Sequence, residues 1–301
     1  MTKESGLRTY GGAVAIITGG ASGIGRALGE ALARRGAHVV LADRQIELAE
    51  TVAEGIRAKG GRATAAELDV SDFPAIDRLV RETVESLGRL DYMFNNAGIG
   101  ISGEVRYYDI KDWERVFDVN IRGVINGVQA AYPVMLRQGY GHIVNTASMA
   151  GLFPFPVVIS YVTSKYAVVG LSTALRIEAA ASGVRVSVLC PGTIRTPILE
   201  GGKYGKALQL LPPEVWRRHW ERQWPMPADK FAVKALNAIA RNRAIIIIPG
   251  RWKLFWWLNR LSPSLALYFG KKVFGMWRKI CEQHQPPTGS ASNGTPWVPP
   301  N

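Results

Sequence analysis

Seven short apolar runs recur along the first 250 residues, and longer segments with helical spacing lie between most of them. The runs are AVAIIT (13–18), AHVVLAD (37–43), RATAAELDV (62–70), LDYMFNNAG (90–98), HIVNTAS (142–148), VRVSVLCPG (184–192) and AIIIIPG (244–250). Apolar residues fill neighbouring positions in them, so the strands are expected to be buried on both faces. Strand and helix in alternation predict an α/β fold, a parallel sheet with helices on each side. Ligands of such a sheet bind at the carboxyl ends of the strands, near the point where strand order reverses.

Two regions depart from this rhythm. Residues 195–230 are irregular and rich in Pro, Trp and Arg, and read as a lid or substrate loop ahead of the last helix and strand. Beyond Gly250 the composition changes. Residues 251–284 are basic and aromatic, and 285–301 are Pro/Ser/Gly-rich and expected to be disordered. No run of roughly 18 apolar residues occurs, so no membrane-spanning helix is expected. The polar amino terminus carries no apolar signal segment.

The first run leads into ITGGASGIGRALGEAL, where Gly19, Gly23 and Gly25 follow a strand and open a helix. Glycine permits the turn and lets backbone come close to a pyrophosphate. The helix amino terminus offers free N–H groups and partial positive charge to that anion. Asp43 ends the second strand 20 residues after Gly23, where a carboxylate can accept both hydroxyls of an adenosine ribose and repel a 2′-phosphate. That favours NAD over NADP. Asp43 as a turn residue or a partner of Arg44 is the plainer alternative, and Arg44 itself could bind a phosphate. Asp69-Val70 ends the third strand, placing Asp69 either against an adenine amino group or as a helix cap. Asn95-Asn96-Ala97-Gly98 ends the fourth, with small residues and amides suited to a flat ligand.

The stretch SYVTSKYAVVG (160–170) puts Tyr161 and Lys165 one helical turn apart on one face. Alone, the pair is common. Composition narrows the chemistry around it. The two cysteines, Cys190 and Cys281, and four scattered histidines form no metal or redox spacing, so neither a metal site nor a disulfide framework is expected. Ser148 lies in no Gly-x-Ser-x-Gly setting, which speaks against a hydrolase.

Taken together, Thr18-Gly19-x-x-x-Gly23-x-Gly25, Asp69-Val70, Asn95-Asn96-Ala97-Gly98, Asn120, Ser148, Tyr161-x-x-x-Lys165 and Pro191-Gly192 resemble the motifs of the classical short-chain dehydrogenase/reductase family, in its order and near its spacing, over about residues 10 to 250. The resemblance implies a single Rossmann-type, doubly wound domain with a seven-stranded parallel sheet. It implies an oxidoreductase of secondary alcohols and ketones with Asn120, Ser148, Tyr161 and Lys165 as catalytic residues. Tyr161 would be the general acid/base, its pKa lowered by the Lys165 cation. Ser148 would hold the substrate oxygen. Asn120 would anchor a water that connects Lys165 to solvent. The implied cofactor contacts are Gly19, Ser22, Gly23, Ile24, Gly25, Asp43, Asp69, Val70, Asn96 and Gly98, then Tyr161 and Lys165 at the nicotinamide ribose, and Pro191, Gly192, Ile194 and Thr196 at the carboxamide. Ser148 as a turn cap and Asn120 as an amide in a helix kink are the plainer alternatives. A homo-oligomer, dimer or tetramer, follows from the resemblance alone.

Charge changes the picture at the carboxyl end. The chain carries a net +13, and residues 251–281 hold seven Arg and Lys and no acid. Pro263 is expected to split this extension into two helices. In the second, Leu265, Phe269, Val273, Met276 and Ile280 share an apolar face, with Lys271, Lys272, Arg278 and Lys279 off it. Trp and Phe beside basic residues suit a membrane interface. Packing on the domain or on another subunit, and nucleic-acid binding, are the alternatives, and nucleic acid is not expected. Phe153, Phe155 and Pro156 would line an apolar pocket or join the core, the first pointing to a lipophilic substrate. The expected location is cytoplasmic, peripheral on the inner membrane face. A catalytically silent dinucleotide-binding module and an NADP-dependent ketoreductase are the competing functions.

Overall fold

The computed structural model describes residues 6–199, 204–208 and 211–284, so the tail 285–301 lies outside the described residues. The chain runs β1 (Val14–Thr18), α1 (Gly23–Ala33), β2 (His38–Asp43), α2 (Ile46–Arg57), β3 (Arg62–Glu67), α3 (Phe73–Leu87) and β4 (Tyr92–Asn95). A short β5 (Gly100–Ser102) precedes α4 (Ile110–Phe117), α5 (Gly123–Gln138), β6 (Gly141–Thr146), α6 (Ile159–Ala179) and β7 (Val184–Pro191). Then come β8 (Ile194–Arg195), β9 (Gly205–Ala207), α7 (Pro213–Glu221), β10 (Met226–Pro227), α8 (Ala228–Ala240) and β11 (Ile245–Ile248). Two further helices, α9 (Lys253–Leu261) and α10 (Pro263–His284), divide at Pro263.

Seven strands form one parallel sheet in the order β11-β7-β6-β4-β1-β2-β3. Strand order reverses between β1 and β4, so a crevice opens at their carboxyl ends. β1, β4 and β6 are buried along their whole length, β1 on an apolar pattern and β6 with His142, Asn145 and Thr146 buried among its apolar residues. One apolar layer joins α1, α2 and α8 to one face, and another joins α3 and α5 to the other. Helix ends follow local chemistry. Asp72 caps α3 by accepting from the Ala75 N–H at 3.3 Å, and Gly88 closes it at φ 76°.

The runs read from sequence overshoot several strands at their carboxyl ends. Asp69-Val70 lies beyond β3, and Ser148 lies beyond β6. Apolar residues continue past the last ladder bond there because the sheet ends at a packed site, not at solvent. The 195–230 region is also less irregular than its composition suggests. It holds α7 and short strands that pair β8 with β10 and β9 with β5.

Candidate active site

The β1–α1 turn is a cradle that side chains would fill. Gly19 has φ 66°, and a Cβ there would sit 3.0 Å from the Ala97 Cα. A Cβ on Gly25 would run into the Gly19 carbonyl. Gly23 takes φ 51°, and a Cβ there would sit 3.2 Å from the Thr196 methyl. Ser22 precedes α1 in extended conformation without a side-chain cap, so the first-turn N–H groups there have no capping side chain, and Ile24 follows in the first turn. An anionic pyrophosphate fits that setting.

Asp43, at the end of β2, sits beside this turn. Its carboxylate accepts from the Ala21 N–H at 3.1 Å and the Gln45 N–H at 3.0 Å. Arg44 pairs instead with Asp69, at 3.7 Å between exposed groups. Asp69 also accepts from the Ser71 N–H and hydroxyl, at 2.9 and 2.6 Å. Burial opposes its ionisation, but the Ser71 bonds and the Arg44 charge hold its carboxyl below the usual range. Asp72, not Asp69, is the helix cap. Val70 is buried, and its carbonyl accepts from the Asn126 amide at 2.8 Å.

The end of β4 is knotted to β1 and β6. Thr18 Oγ1 accepts the Asn96 N–H at 2.9 Å, and the Asn96 amide donates to the Thr18 carbonyl at 3.0 Å. Gly98 leaves space in front of Lys165, where a Cβ would be 3.4 Å from Nζ and 3.3 Å from Asn120 Oδ1. On the far side, Pro191 ends β7, and the Gly192 N–H donates to the Ile248 carbonyl at 2.9 Å. Ile194 is buried, and Thr196 bends back over the cradle.

The four residues expected to carry chemistry come together. The Ser148 hydroxyl faces the Tyr161 phenol and favours its ionisation. It also accepts the Ala150 N–H at 3.1 Å, so the turn-cap role and the site role fall on one side chain. Lys165 Nζ donates to the Thr146 carbonyl at 2.9 Å and lies 5.4 Å from the Tyr161 ring centre. Asn120 is fully buried in a π-helical turn, Asp118–Arg122, that joins α4 to α5. Its amide donates to the Ile99 carbonyl and the Ser164 hydroxyl, both at 3.0 Å, and its oxygen accepts the Ile99 N–H at 2.9 Å. Such a turn inside a helix is a frequent mark of a functional position.

The electrostatics differ from the sequence reading in one respect. Lys165 was expected to lower the Tyr161 pKa. Burial raises the Tyr161 pKa instead, and the Ser148 hydroxyl only partly offsets it. Burial also pulls Lys165 down to about 8. Desolvation therefore disfavours both charged forms, and the resting phenol is protonated.

Three contributors escaped the sequence reading. Thr146 works through its carbonyl, which no side-chain pattern reveals. Ser164, beside Lys165 on α6, carried a usable signal: a small polar residue next to a buried cation. Cys190 is wholly buried on β7 and coupled electrostatically to Lys165. The apolar segment after Ser148 packs on the core, with Phe155 against the cluster that holds Phe153. Phe153 joins the core, while Phe155 and Pro156 are half-buried.

Residues 13–203 match the family model described as short chain dehydrogenase. The chain belongs to the short-chain dehydrogenase family. As a member it is an oxidoreductase of CH–OH groups that uses a nicotinamide dinucleotide. It is 37% identical over 200 residues to cyclohexanol dehydrogenase of Acinetobacter sp., covering 66% of this chain and 80% of that enzyme. It is also 37% identical over 212 residues to a glycine betaine reductase of Emericella nidulans, covering 67% of this chain but 17% of that enzyme. A short-chain dehydrogenase/reductase of Burkholderia phymatum, solved in complex with NAD, superposes with a TM-score of 0.75 at 29% identity, covering 95% of this chain and 100% of that one. Among the described residues, no helix of this short-chain dehydrogenase is long and apolar enough to cross a membrane.

Proposed function

We propose that this short-chain dehydrogenase interconverts a secondary alcohol and a ketone with NAD, on a lipophilic substrate, with Tyr161 as general acid/base. The observation that carries the reading is the Lys165 ammonium 5.4 Å from the Tyr161 ring centre, with the Ser148 hydroxyl facing the phenol. NAD supplies the hydride acceptor. Asp43 receives the ribose hydroxyls and disfavours a 2′-phosphate. The cyclohexanol dehydrogenase relative and the NAD-bound structural neighbour support the same reading.

In the reduction direction, the protonated phenol of Tyr161 donates its proton to the substrate oxygen, which Ser148 also holds. In oxidation the phenol first gives up its proton along the Lys165 path, and the phenolate then takes the hydroxyl proton. Lys165 stabilises the phenolate that forms and, with a pKa near 8, can pass a proton on. Asn120 fixes the Ile99 backbone beside Lys165, and a water on that backbone would complete the path to solvent.

The lipophilic substrate follows from the half-buried Phe155 and from Ile198, whose side chain borders the same gap as the Tyr161 ring in front of Gly100. The basic, aromatic segment 251–281 provides a peripheral contact with anionic membrane. Exposed Ile125 and Leu136 on α5, and Ile159 and Ile177 on α6, would be covered by a second copy of the chain. A monomer by light scattering would rule that pairing out.

The test is a panel of secondary alcohols and ketones with lipid present, following reduced-nicotinamide absorbance, with Tyr161→Phe beside the wild type. Turnover with NAD that drops at least a thousandfold in the variant is expected. Tight dinucleotide binding without turnover would overturn the reading.

A further inference from the structure

The extension is built into the substrate side of the site. From α9, the Asn259 amide donates to the Leu152 carbonyl at 3.0 Å, and the Phe255 ring meets Phe153 at 5.7 Å. Trp252, just before α9, meets Phe155 at 6.1 Å, and its indole fills the space in front of Gly192. From α10, Arg278 pairs with Glu104 at 3.7 Å, and Trp277 packs edge-on against His219 of α7 at 5.6 Å. Leu152 to Phe155 connect Ser148 to Tyr161. Glu104 follows β5, and α7 belongs to the substrate loop. The inner faces of α9 and α10 thus hold the connection between Ser148 and Tyr161, the turn after β5, whose Gly100 lies beside the Tyr161 ring, and α7.

The outer face is apolar and open. Leu254 is 73% exposed and Leu261 79%, and Trp257, Leu265, Phe269 and Met276 are exposed as well. Leu254, Trp257 and Leu261 fall at i, i+3 and i+7, one stripe of α9. Of the seven basic side chains of 251–281, Arg278 turns to Glu104 and Arg251 to the Gln223 and Trp224 carbonyls, while Lys253, Arg260, Lys271, Lys272 and Lys279 are exposed, and the segment holds no acid. Lys253 continues the positive surface into a recess of about 240 Å³ between α8 and β11, which Lys234, Arg241 and Arg243 also line, with no acidic side chain. A second copy docked through the same face would meet it with the same positive charge. An anionic phospholipid surface supplies the matching negative charge, and each basic residue near that surface raises binding about fivefold.

We infer that the outer face of α9 and α10 docks on an anionic phospholipid bilayer, and that the substrate cleft these helices wall takes its alcohol or ketone from that bilayer. The inference rests on the dehydrogenase reading above. It narrows the substrate class to secondary alcohols and ketones that partition into lipid. The docking helices are also the pocket wall, which is how membrane contact would bring substrate to the cleft.

Deleting the extension is a poor test, because Ala266, Trp277 and Cys281 are buried and Trp252 packs at Gly192. The full chain carrying Leu254→Glu, Trp257→Glu and Leu261→Glu keeps those contacts. Wild type and triple variant are sedimented with vesicles of phosphatidylglycerol and phosphatidylcholine, and with phosphatidylcholine alone. Both are assayed on a short water-soluble secondary alcohol and on a long-chain secondary alcohol dissolved in the anionic vesicles. The wild type is expected to sediment with anionic vesicles, and the variant at least tenfold less. Turnover of the soluble alcohol stays equal, which also reports that the variant is folded. For the vesicle-borne alcohol, kcat/KM falls at least tenfold. Equal sedimentation overturns docking, and equal turnover of the vesicle-borne alcohol overturns delivery. A variant that only changes oligomeric state would place a second copy on this face and overturn both. No turnover of either alcohol by the wild type would instead overturn the dehydrogenase reading, with sedimentation still deciding docking.

Discussion

The Lys165 ammonium lies 5.4 Å from the centre of the Tyr161 ring, and its donor goes to the Thr146 carbonyl at 2.9 Å. The cation is thus anchored by the end of β6 and presented to the phenol through space. A buried ammonium held this way titrates near 8, within the working range of an enzyme. Alcohol oxidation must release a proton, so its rate should rise as pH increases through about 8, and ketone reduction should fall over the same window. Lys165→Met should lower kcat by roughly 100-fold or more, in the range of lost acid–base assistance, and remove the inflection near 8. Initial rates from pH 6 to 10, at saturating cofactor, check both. An unchanged inflection in the variant would assign it to another group.

Asp43 has two tasks, since the carboxylate that would meet a ribose also holds the Ala21 and Gln45 amides. Hydrogen bonds to a charged group are worth roughly 1.5–3 kcal/mol, so Asp43→Ala should raise the KM for NAD about 10- to 100-fold. NADP, no longer repelled, should lose less or gain. KM values for both cofactors decide this. Wild-type protein that binds NADP at least as tightly as NAD would refute the preference.

How far these relationships could be read in advance depends on what carries them. The sheet was legible because strands buried on both faces leave unbroken apolar runs. The chemical core was legible because proton transfer and pyrophosphate binding demand particular residue types at fixed spacing. Thr146 was hidden because a carbonyl belongs to every residue. On α10 periodicity located an apolar stripe but not its fate. Leu265, Phe269, Val273 and Met276 are exposed and Ile280 half-buried, while Ala266, Trp277 and Cys281 pack inward. Small residues decide this, because Ala266 and Gly270 let the helix approach the segment at Pro154. Their weak hydrophobicity gave no hint of it.

Val157, between Ser148 and Tyr161, has φ 60°, a left-handed conformation that a β-branched residue rarely adopts. The Gly103 N–H donates to its carbonyl at 2.7 Å, which helps hold the strained turn. Such strain costs about 1–3 kcal/mol, whereas glycine adds roughly 0.5–1 kcal/mol of unfolded-chain entropy. Val157→Gly should therefore stabilise the fold by about 1 kcal/mol, seen as a thermal midpoint higher by roughly 2 °C. A lower midpoint would mean that side-chain contacts outweigh the strain.

His142 should set part of the acid limit of the fold. It is fully buried on β6, with Nε2 2.9 Å from the Ser187 hydroxyl. That hydroxyl donates its own proton to the Arg243 carbonyl at 2.7 Å, so it accepts from Nε2–H. Nδ1 is buried without a hydrogen-bond partner, and protonating it would strand a charge in the core. Burial first, then the charges of Arg185 and Arg176, pushes the His142 pKa down to about 3 from 6.5. Above 6.5 neither folded nor unfolded chain holds this proton, so the group contributes no pH dependence. Below 6.5 the unfolded chain binds a proton that the folded chain refuses, and stability falls by about 1.4 kcal/mol per pH unit until about 3. At pH 5 the loss should be about 2 kcal/mol. Urea unfolding at pH 7 and pH 5 of wild type and His142→Gln, whose amide can still donate to Ser187, isolates this contribution from that of the carboxylates. The variant should lose less stability than the wild type between the two pH values, by that same amount. An equal loss would mean that the folded protein accommodates the imidazolium.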